Sequence, residues 1–379
     1  MAEKTRLLFI DLLRGLAILV MIEVHVFNAF IIPALKETRW FSVLNFVNGL
    51  VAPSFLFISG FAFIISTQSQ HDELHKFGLL FRKKMMRIGL IFLVGYSLHI
   101  PFFSLAKILR EATPQLWISF YNVDVLQNIG VGLLYILLAR VFIKSDKVFF
   151  YFLFASSIVF VFISPYIWDH DFARYFPVPI ASYFNPVYGS FFPLFPWIGF
   201  LLLGAVSSIL YLNARARGNE QNFMVQTAIF GLILIAIGHF YLSPIFPKTY
   251  TAIKPHPVFF LERLGYVLIL LSLCWYYITK VKTNGGFVIE TGRESLLIYW
   301  LHLQIIYRML WHGESFDSMI KQSYNPWQCL LFTLGLIAVM IGVAKIWGSF
   351  KRKNKKGAKI VTTVILCGAL IIFVMLKNY

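Results

Sequence analysis

Four ionisable residues interrupt one long apolar segment near the N-terminus, DLLRGLAILVMIEVH: Asp11, Arg14, Glu23 and His25. In a helix, Arg14 and His25 are about three turns apart, so both side chains project from one face, roughly 16 Å apart along the axis. Asp11 shares that face, whereas Glu23 points elsewhere. A guanidinium binds phosphate oxygens, and a neutral imidazole accepts a proton near pH 7. The spacing therefore makes Arg14 and His25 candidate functional residues.

Each of these residues also fits a structural role. Arg14 can snorkel or pair with Asp11 at the cytoplasmic interface, and an isolated His25 is typical of hydrogen-bonded packing. A charged side chain at membrane depth costs at least a few kcal/mol unless it faces protein or water. The shared face of Arg14 and His25 favours function over packing.

The elements that must position these residues are membrane helices. Hydrophobic residues make up 59% of the 379 residues and charged residues 13%, and apolar runs of about twenty residues recur, the length that crosses a bilayer. We predict an all-α polytopic membrane protein with about eleven spans. They lie near residues 7–33, 43–67, 87–109, 122–143, 147–166, 191–212, 223–243, 257–279, 292–311, 327–348 and 358–377.

Basic residues alternate between the connecting segments. KFGLLFRKKMMR, RVFIKSDK, RAR, KVK and KRKNKKGAK fall on the same side as Lys4 and Arg6, so we expect that side and the N-terminus to be cytoplasmic. This topology, rather than a nucleic-acid partner, accounts for the net charge of +17. MAEKTR with the following apolar run imitates a signal peptide, but we expect it to remain as the first span.

The domain organisation predicted from these spans is simple. Residues 1–350 form one transmembrane domain of about ten helices, and residues 351–379 add a basic cytoplasmic loop and a further helix. The longest external loop, IWDHDFARYFPVPIASYFNPVYGS, fits a lid, an acceptor-binding surface or an interfacial aromatic belt. We expect Cys274, Cys329 and Cys367 to be packing residues and see no metal-ligand cluster. Glycines in the spans, Gly15, Gly60 and Gly204, indicate close helix packing.

The first helix resembles that of a known superfamily. RLLFIDLLRGLAILVMIEVHVFNAF is similar to the opening helix of the transmembrane acyltransferases, a group that includes the type 3 acyltransferases and the heparan-glucosaminide N-acetyltransferase-like proteins. Their pattern of Arg, ten residues, then His falls on Arg14 and His25. Four later segments resemble the family in the same order: APSFLFISGFAFIIS, DVLQNIGVGLLY, PLFPWIGFLLLGA and GRESLLIYWLHLQIIY.

This resemblance implies transfer of an acyl group, most often acetyl, from cytoplasmic acyl-CoA to a hydroxyl or amine of an extracytoplasmic glycan. It implies catalytic roles for His25 and Arg14, with His25 as a general base or a transient acyl carrier. Acetyl-CoA would be a substrate, with no permanently bound cofactor and no metal. The expected partners are acyl-CoA, the glycan, the lipid bilayer and a second copy in a homodimer, in a bacterial plasma membrane.

Other polar residues are assigned by their predicted depth. Donor phosphates would meet Arg14 and the basic residues Arg82, Lys83, Lys84 and Arg87, although the positive-inside rule also explains the latter group. Asp11 would be a structural partner of Arg14. The acceptor pocket would include residues predicted to lie in the outer half of the membrane. These are Asn28, His99, Asp124, Gln127, Glu262, Arg263, His302 and Gln304.

Several of these assignments have equal structural alternatives. Asp124 and Gln127 can share a face towards the pocket or cap a helix, Glu262 and Arg263 can form ion pairs between helices, and His302 can bond a neighbouring helix. The rival function for the whole chain is a transporter or flippase of a glycan or lipid-linked precursor, since buried Arg, His and Glu also line transport pathways. A purely structural scaffold ranks last.

Overall fold

The computed structural model describes residues 6–67, 71–74, 77–245, 255–281, 286–308 and 314–375, and these residues are helical almost throughout. They contain no β-strand, only an isolated bridge between Ile31 and Tyr324. Because a backbone in hydrocarbon must satisfy its hydrogen bonds internally, helices are the expected solution for this composition. The predicted all-α class is confirmed.

Eighteen α-helices are present in the described ranges. They are α1 Leu8–Phe30, α2 Arg39–Asn48, α3 Val51–Thr67, α4 His71–Leu74, α5 Leu79–His99, α6 Leu105–Glu111, α7 Pro114–Phe120, α8 Val125–Phe142, α9 Asp146–Ile167, α10 Val178–Ala181, α11 Leu194–Ala216, α12 Glu220–Ile245, α13 Pro257–Val281, α14 Phe287–Arg293, α15 Ser295–Tyr307, α16 Phe316–Ile320, α17 Pro326–Lys353 and α18 Lys355–Met375. Short 3₁₀ helices lie at Pro33–Glu37, Phe172–Arg174 and Pro186–Tyr188.

Eight helical segments of the described chain are long and apolar enough to cross a membrane. They coincide with eight of the eleven predicted spans: the segment Arg39–Thr67, formed by α2 and α3, and helices α8, α9, α11, α12, α13, α17 and α18. The other three predicted spans fall on α1, α5 and α15. Helix α15 has 13 residues and is about 20 Å long, shorter than the roughly 30 Å of hydrocarbon. Lys4, Lys282 and the span ends 309–311 and 376–377 lie outside the described residues.

The chain forms two compact units. One contains Met1–Val51, Ile100–Trp117 and Val281–Tyr379, and the other contains Ala52–His99 and Ile118–Lys280. We call them the terminal unit and the central unit. The predicted boundary at residue 350 lies within the terminal unit, and it stays a prediction.

Glycines bring helices together in the terminal unit, where α1 packs on α14. A Cβ atom built on Gly15 would overlap the backbone oxygen of Val288, and one built on Gly292 would overlap the backbone oxygen of Asp11. Only residues without a side chain permit two backbones to approach so closely. The packing role predicted for Gly15 is confirmed, and it fixes α1 against α14.

Close packing at glycines also joins α3 and α11 in the central unit. A Cβ on Gly60 would overlap the backbone oxygen of Leu201, and one on Gly204 would overlap that of Phe57. The prediction for both glycines is confirmed. Among the cysteines, Cys274 and Cys329 are buried as predicted, whereas Cys367 is exposed on α18, so the packing assignment is wrong for Cys367.

The long loop between α9 and α11 is held by its own polar and aromatic contacts. Asn185 Nδ2 donates to the backbone oxygens of Ile167 and His170 at 2.7 and 2.6 Å. The Tyr188 hydroxyl donates to Asp171 Oδ1 at 2.8 Å, and this bond, with that from the Ala173 amide, holds the pKa of the Asp171 carboxyl below its usual value. The loop is therefore ordered by its own contacts, and the three interpretations of it stay predictions.

Candidate active site

One face of α1 carries the predicted functional residues towards neighbouring helices of the terminal unit. The helix is continuous from Leu8 to Phe30, so Arg14 and His25 have the shared face and the spacing of roughly 16 Å expected of three turns. Gly15 of this face contacts α14, and His25 contacts α15. The face packs on protein, which is the arrangement that makes ionisable groups tolerable at membrane depth.

His25 lies against two aromatic side chains of α15. Its ring centroid is 5.3 Å from that of His302 and 5.9 Å from that of Tyr307, the latter in an edge-on contact. The Tyr307 hydroxyl is 3.4 Å from His25 Nδ1 and 3.4 Å from the backbone oxygen of His25. The three side chains form a cluster, which we call the α1–α15 cluster.

The bonds of Tyr307 bear on which nitrogen of His25 carries hydrogen. A phenol has one proton, and the Tyr307 hydroxyl donates it to the backbone oxygen of His25. Donation to that oxygen leaves the hydroxyl oxygen to accept from Nδ1 of the same residue, an arrangement that suits the tautomer with hydrogen on Nδ1. In that tautomer His25 Nε2 has a free lone pair, the state that a general base or a nucleophile needs.

An ion cluster surrounds Asp11 near the start of α1. The carboxylate side chain is only 4% exposed, and it accepts from Arg6 Nε at 2.5 Å and from Arg6 Nη2 at 3.0 Å. Arg14 Nη1 lies 3.7 Å from Asp11 Oδ1, and Arg293 Nε lies 3.7 Å from Asp11 Oδ2. A buried carboxylate requires such cationic partners, and the predicted structural pairing of Asp11 with Arg14 is present.

The same cluster extends to α17 through residues that the sequence interpretation missed. Glu290 Oε1 accepts from Arg293 Nη1 at 2.8 Å, and Glu290 Oε2 accepts from Arg352 Nη1 at 2.6 Å. Lys351 Nζ lies 2.5 Å from Glu294 Oε1. One sequence feature could have predicted these residues, since a charge in an apolar stretch requires a partner. It is the group of three charges Glu290, Arg293 and Glu294.

Two predicted acceptor residues of the terminal unit have different environments. Gln304 is buried, and its Oε1 accepts from Arg308 Nε at 2.8 Å. The Arg308 guanidinium also donates to the backbone oxygen of Ile100 at 3.1 Å and lies over the Phe103 ring. Asn28 is exposed, and its backbone oxygen accepts from Lys36. The bond from Arg308 thus orients the Gln304 side chain. Arg308 is a further residue that the sequence interpretation missed.

The predicted donor-binding residues of the central unit divide into two kinds. Lys84 is buried on α5, where its ammonium donates to Ser66 Oγ at 2.5 Å and lies 5.1 Å from the centre of the Phe63 ring. Arg82, Lys83 and Arg87 are exposed on the same helix. The exposed three retain the accessibility that a phosphate contact requires, and the Lys84 ammonium is engaged within its own unit.

Asp124 and Gln127 form a capping box at the start of α8 in the central unit. The Asp124 carboxylate accepts from the Val125 amide at 2.7 Å, and the Gln127 side chain accepts from the Asp124 amide at 3.3 Å. Capping of this kind satisfies backbone donors that a helix leaves open. The structural alternative for this pair is therefore present. His99 ends α5.

Removing the cap should weaken the central unit. We expect Asp124→Ala to lower the free energy of unfolding by about 1 kcal/mol, because the amides at the start of α8 lose their acceptor. Asp124→Asn keeps a side-chain oxygen at the cap and should behave like the wild type. Thermal unfolding of both variants in detergent checks this, and an Asn variant as unstable as the Ala variant would contradict it.

Glu262 and Arg263 occupy different surroundings on α13. The Arg263 side chain is fully buried, with its guanidinium 5.1 Å from the centre of the Phe259 ring. Glu262 packs on α12, where a Cβ on Gly238 would lie 2.5 Å from the Glu262 Cβ. A position over an aromatic ring favours a guanidinium electrostatically. The acceptor roles of both residues stay predictions.

The fold and the site define a class, an all-α membrane protein whose first helix bears an ion cluster at one end and a paired imidazole at the other. Residues 6–243 match the family described as "Heparan-alpha-glucosaminide N-acetyltransferase, catalytic", and the chain belongs to that family. A search of curated proteins finds no match. Membership supports an acetyltransferase acting on a glycan, and it does not support a homodimer. The match includes Arg14 and His25 and ends before His302 and Tyr307.

Proposed function

We propose that the chain transfers an acetyl group from acetyl-CoA on the cytoplasmic side of a membrane to a hydroxyl or amine of a glycan on the opposite side. In this proposal the N-terminus is cytoplasmic, the membrane is a bacterial plasma membrane, and residues 1–350 carry the reaction. The alternation of basic segments supports the orientation, and family membership supports the chemistry.

The observation that carries the proposal is the position of His25 in the α1–α15 cluster. Tyr307 contacts the ring in a way that suits the tautomer with a free Nε2, and the ring lies on the same helical face as Arg14. An acetyl transfer needs a group that removes a proton from the acceptor or carries the acetyl group itself. His25 is the residue of this face that suits both tasks.

In the direct route, each bond that forms is matched by one that breaks. The acceptor oxygen or nitrogen attacks the thioester carbonyl carbon as His25 Nε2 takes the acceptor's proton, and the new carbon–oxygen or carbon–nitrogen bond forms. The carbon–sulfur bond then breaks, and the departing CoA thiolate takes the proton from His25 to become the thiol. In the alternative route, Nε2 attacks the thioester carbonyl carbon, and the carbon–sulfur bond breaks to release the CoA thiolate. The acceptor then attacks the acetyl carbon, the bond to Nε2 breaks, and the acceptor's proton converts the thiolate to the thiol.

We assign a contact with the phosphates of the donor to Arg14 of the terminal unit. The donor contacts predicted for the exposed cations of α5, in the central unit, stay predictions. Losing one guanidinium contact to phosphate removes roughly 1.5–3 kcal/mol, so Arg14→Ala should weaken CoA binding about 10- to 100-fold. Isothermal titration of CoA and the KM for acetyl-CoA measure this. Arg6→Ala is the matched control, because Arg6 is the closer partner of Asp11. An equal loss in both variants would assign the effect to Asp11 instead.

Acceptor contacts are proposed for each unit by itself, from polar residues expected in the outer half. In the terminal unit these are His302 and Gln304, which are buried, and Asn28, which is exposed. In the central unit they are His99, Asp124, Gln127, Glu262 and Arg263. Aromatic residues of the ordered loop between α9 and α11 add apolar faces that suit sugar rings.

A transfer assay tests the proposed function. Purified protein in vesicles receives radiolabelled acetyl-CoA and a panel of cell-envelope glycans, and label in the glycan is the expected result. Movement of a glycan across the vesicle wall without acetyl-CoA, together with no labelled product, would support the rival transporter and overturn the proposal.

A further inference from the structure

His302 is a buried imidazole close to His25 and outside the part of the chain that the family match covers. The side chain on α15 has no solvent exposure. Its ring centroid lies 5.3 Å from that of His25, with the two planes inclined at 51°. The terminal unit therefore contains two imidazole rings in contact with each other.

The hydrogen-bonding state of His302 follows from its one bond. Nδ1 lies 2.7 Å from the backbone oxygen of Ile298, and because a carbonyl can only accept, Nδ1 carries the hydrogen. A fully buried imidazolium would add a second, unpartnered N–H at high cost, so the ring is neutral. Nε2 therefore presents a lone pair, and it has no hydrogen-bond partner in the described part of the chain.

A buried acceptor without a partner costs roughly 1–3 kcal/mol and calls for an explanation. Packing alone does not supply one, because an apolar ring of similar size would fill the same space without this cost. The orphaned lone pair is instead useful if a donor is present during only part of a reaction cycle.

His25 becomes such a donor when it takes a proton. The imidazolium has two N–H groups, and Tyr307 accepts at Nδ1, which leaves the hydrogen on Nε2. The ring contacts of His25 in the described residues are to His302 and Tyr307, both neutral, and the described ion pairs near Asp11 involve a different part of α1. Histidine bases commonly rely on an anion to stabilise the charged ring, whereas the two side chains in ring contact with His25 are uncharged.

We propose that His302 is a positioning residue that accepts a hydrogen bond from protonated His25 through Nε2, so that two imidazoles share the proton taken from the glycan. This inference rests on the proposed function. The proton leaves the acceptor oxygen or nitrogen, is held between the two rings while the carbon–sulfur bond breaks, and ends on the CoA thiolate. No other co-reactant is needed, and the lone pair is restored after each cycle.

Two near-isosteric substitutions separate this role from a structural one. His302→Asn keeps a donor at the Nδ1 position, where it can bond Ile298, and removes the acceptor at Nε2. His302→Gln places a side-chain oxygen near the Nε2 position and gives up the Nδ1 donor. If His302 served only to hold α15, the Asn variant would be the better enzyme.

We expect the opposite order in steady-state acetyl transfer. The kcat of His302→Asn should fall about 100-fold, within the range for removal of proton-transfer assistance, with KM for acetyl-CoA unchanged. His302→Gln should recover kcat to within about tenfold of the wild type. Thermal unfolding of both variants reports whether the fold is retained, and rates are compared for folded protein only.

The outcomes also separate this inference from the function on which it rests. An Asn variant as active as the Gln variant or more active would overturn the proton-sharing role while leaving acetyl transfer intact. Full transfer by a His25→Ala protein would overturn the proposed function itself. If neither His302 variant folds, ¹⁵N NMR of histidine-labelled wild-type protein during a pH titration decides. A shift of the His302 Nε2 resonance towards its hydrogen-bonded value as His25 takes up a proton supports the shared proton, and an unchanged resonance contradicts it.

Discussion

His25→Ala is expected to lower acetyl transfer by about 10²- to 10⁴-fold, the range associated with loss of a general base. The imidazole is the only group through which the proposed proton removal or acyl transfer proceeds, and alanine provides neither a lone pair nor a nucleophile. The measurement is incorporation of labelled acetyl into the glycan by purified protein, with kcat and KM determined separately.

A second histidine serves as the control for this prediction. His256 accepts a local bond from the Val258 amide at 3.2 Å near the start of α13, and the proposed reaction does not use it. His256→Ala should therefore retain transfer at near the wild-type rate. A His25→Ala protein that unfolds like the wild type and turns over at the same rate would exclude both roles assigned to His25.

Gly15→Ala should lower the free energy of unfolding more than Asp124→Ala does. The new methyl group would overlap the Val288 backbone and approach Val288 Cγ1 to 2.9 Å, and a backbone cannot yield as a flexible side chain can. Overpacking of this kind costs roughly 1–3 kcal/mol or more. Since α1 must move away from α14, His25 and Arg14 move with it, and transfer should fall together with the unfolding temperature.

Gly342→Ala is the matched control on α17. A Cβ at Gly342 meets nothing within 4 Å, and alanine is about 1 kcal/mol better than glycine inside a helix. This variant should be unchanged or slightly more stable. Thermal unfolding of the two variants in the same detergent makes the comparison, and equal stability of Gly15→Ala and the wild type would contradict the close approach of α1 and α14.

Hydropathy predicted most of the helices because burial in a membrane depends on residue type alone. Eight of the predicted spans are helices long enough to cross, and α1 has the continuity that the spacing of Arg14 and His25 required. The other three predicted spans are α1, α5 and α15, and α15 differs in length, since its 13 residues are as apolar as a span but shorter than one. Composition predicts whether a segment lies in a membrane, but it does not predict the residue at which the helix ends.

Local spacing was informative where partners are close in sequence. Asp11 and Arg14 are one turn apart, and their pairing was predicted and is present. Asp124 and Gln127 are also three apart, and capping was one of two interpretations; the structure shows the capping bonds. Such interactions depend on the 3.6-residue period, which any helix supplies.

Sequence by itself determined that this protein is a helical membrane protein with an acid, a guanidinium and an imidazole along one face of its first helix. Only the tertiary structure decided what meets that face: Arg293 beside Asp11, Val288 against Gly15, and the Tyr307 hydroxyl and the His302 ring against His25. These partners are more than 260 residues away along the chain. Helical periodicity fixes directions within one helix, whereas the choice of neighbour depends on how close two particular backbones can pack.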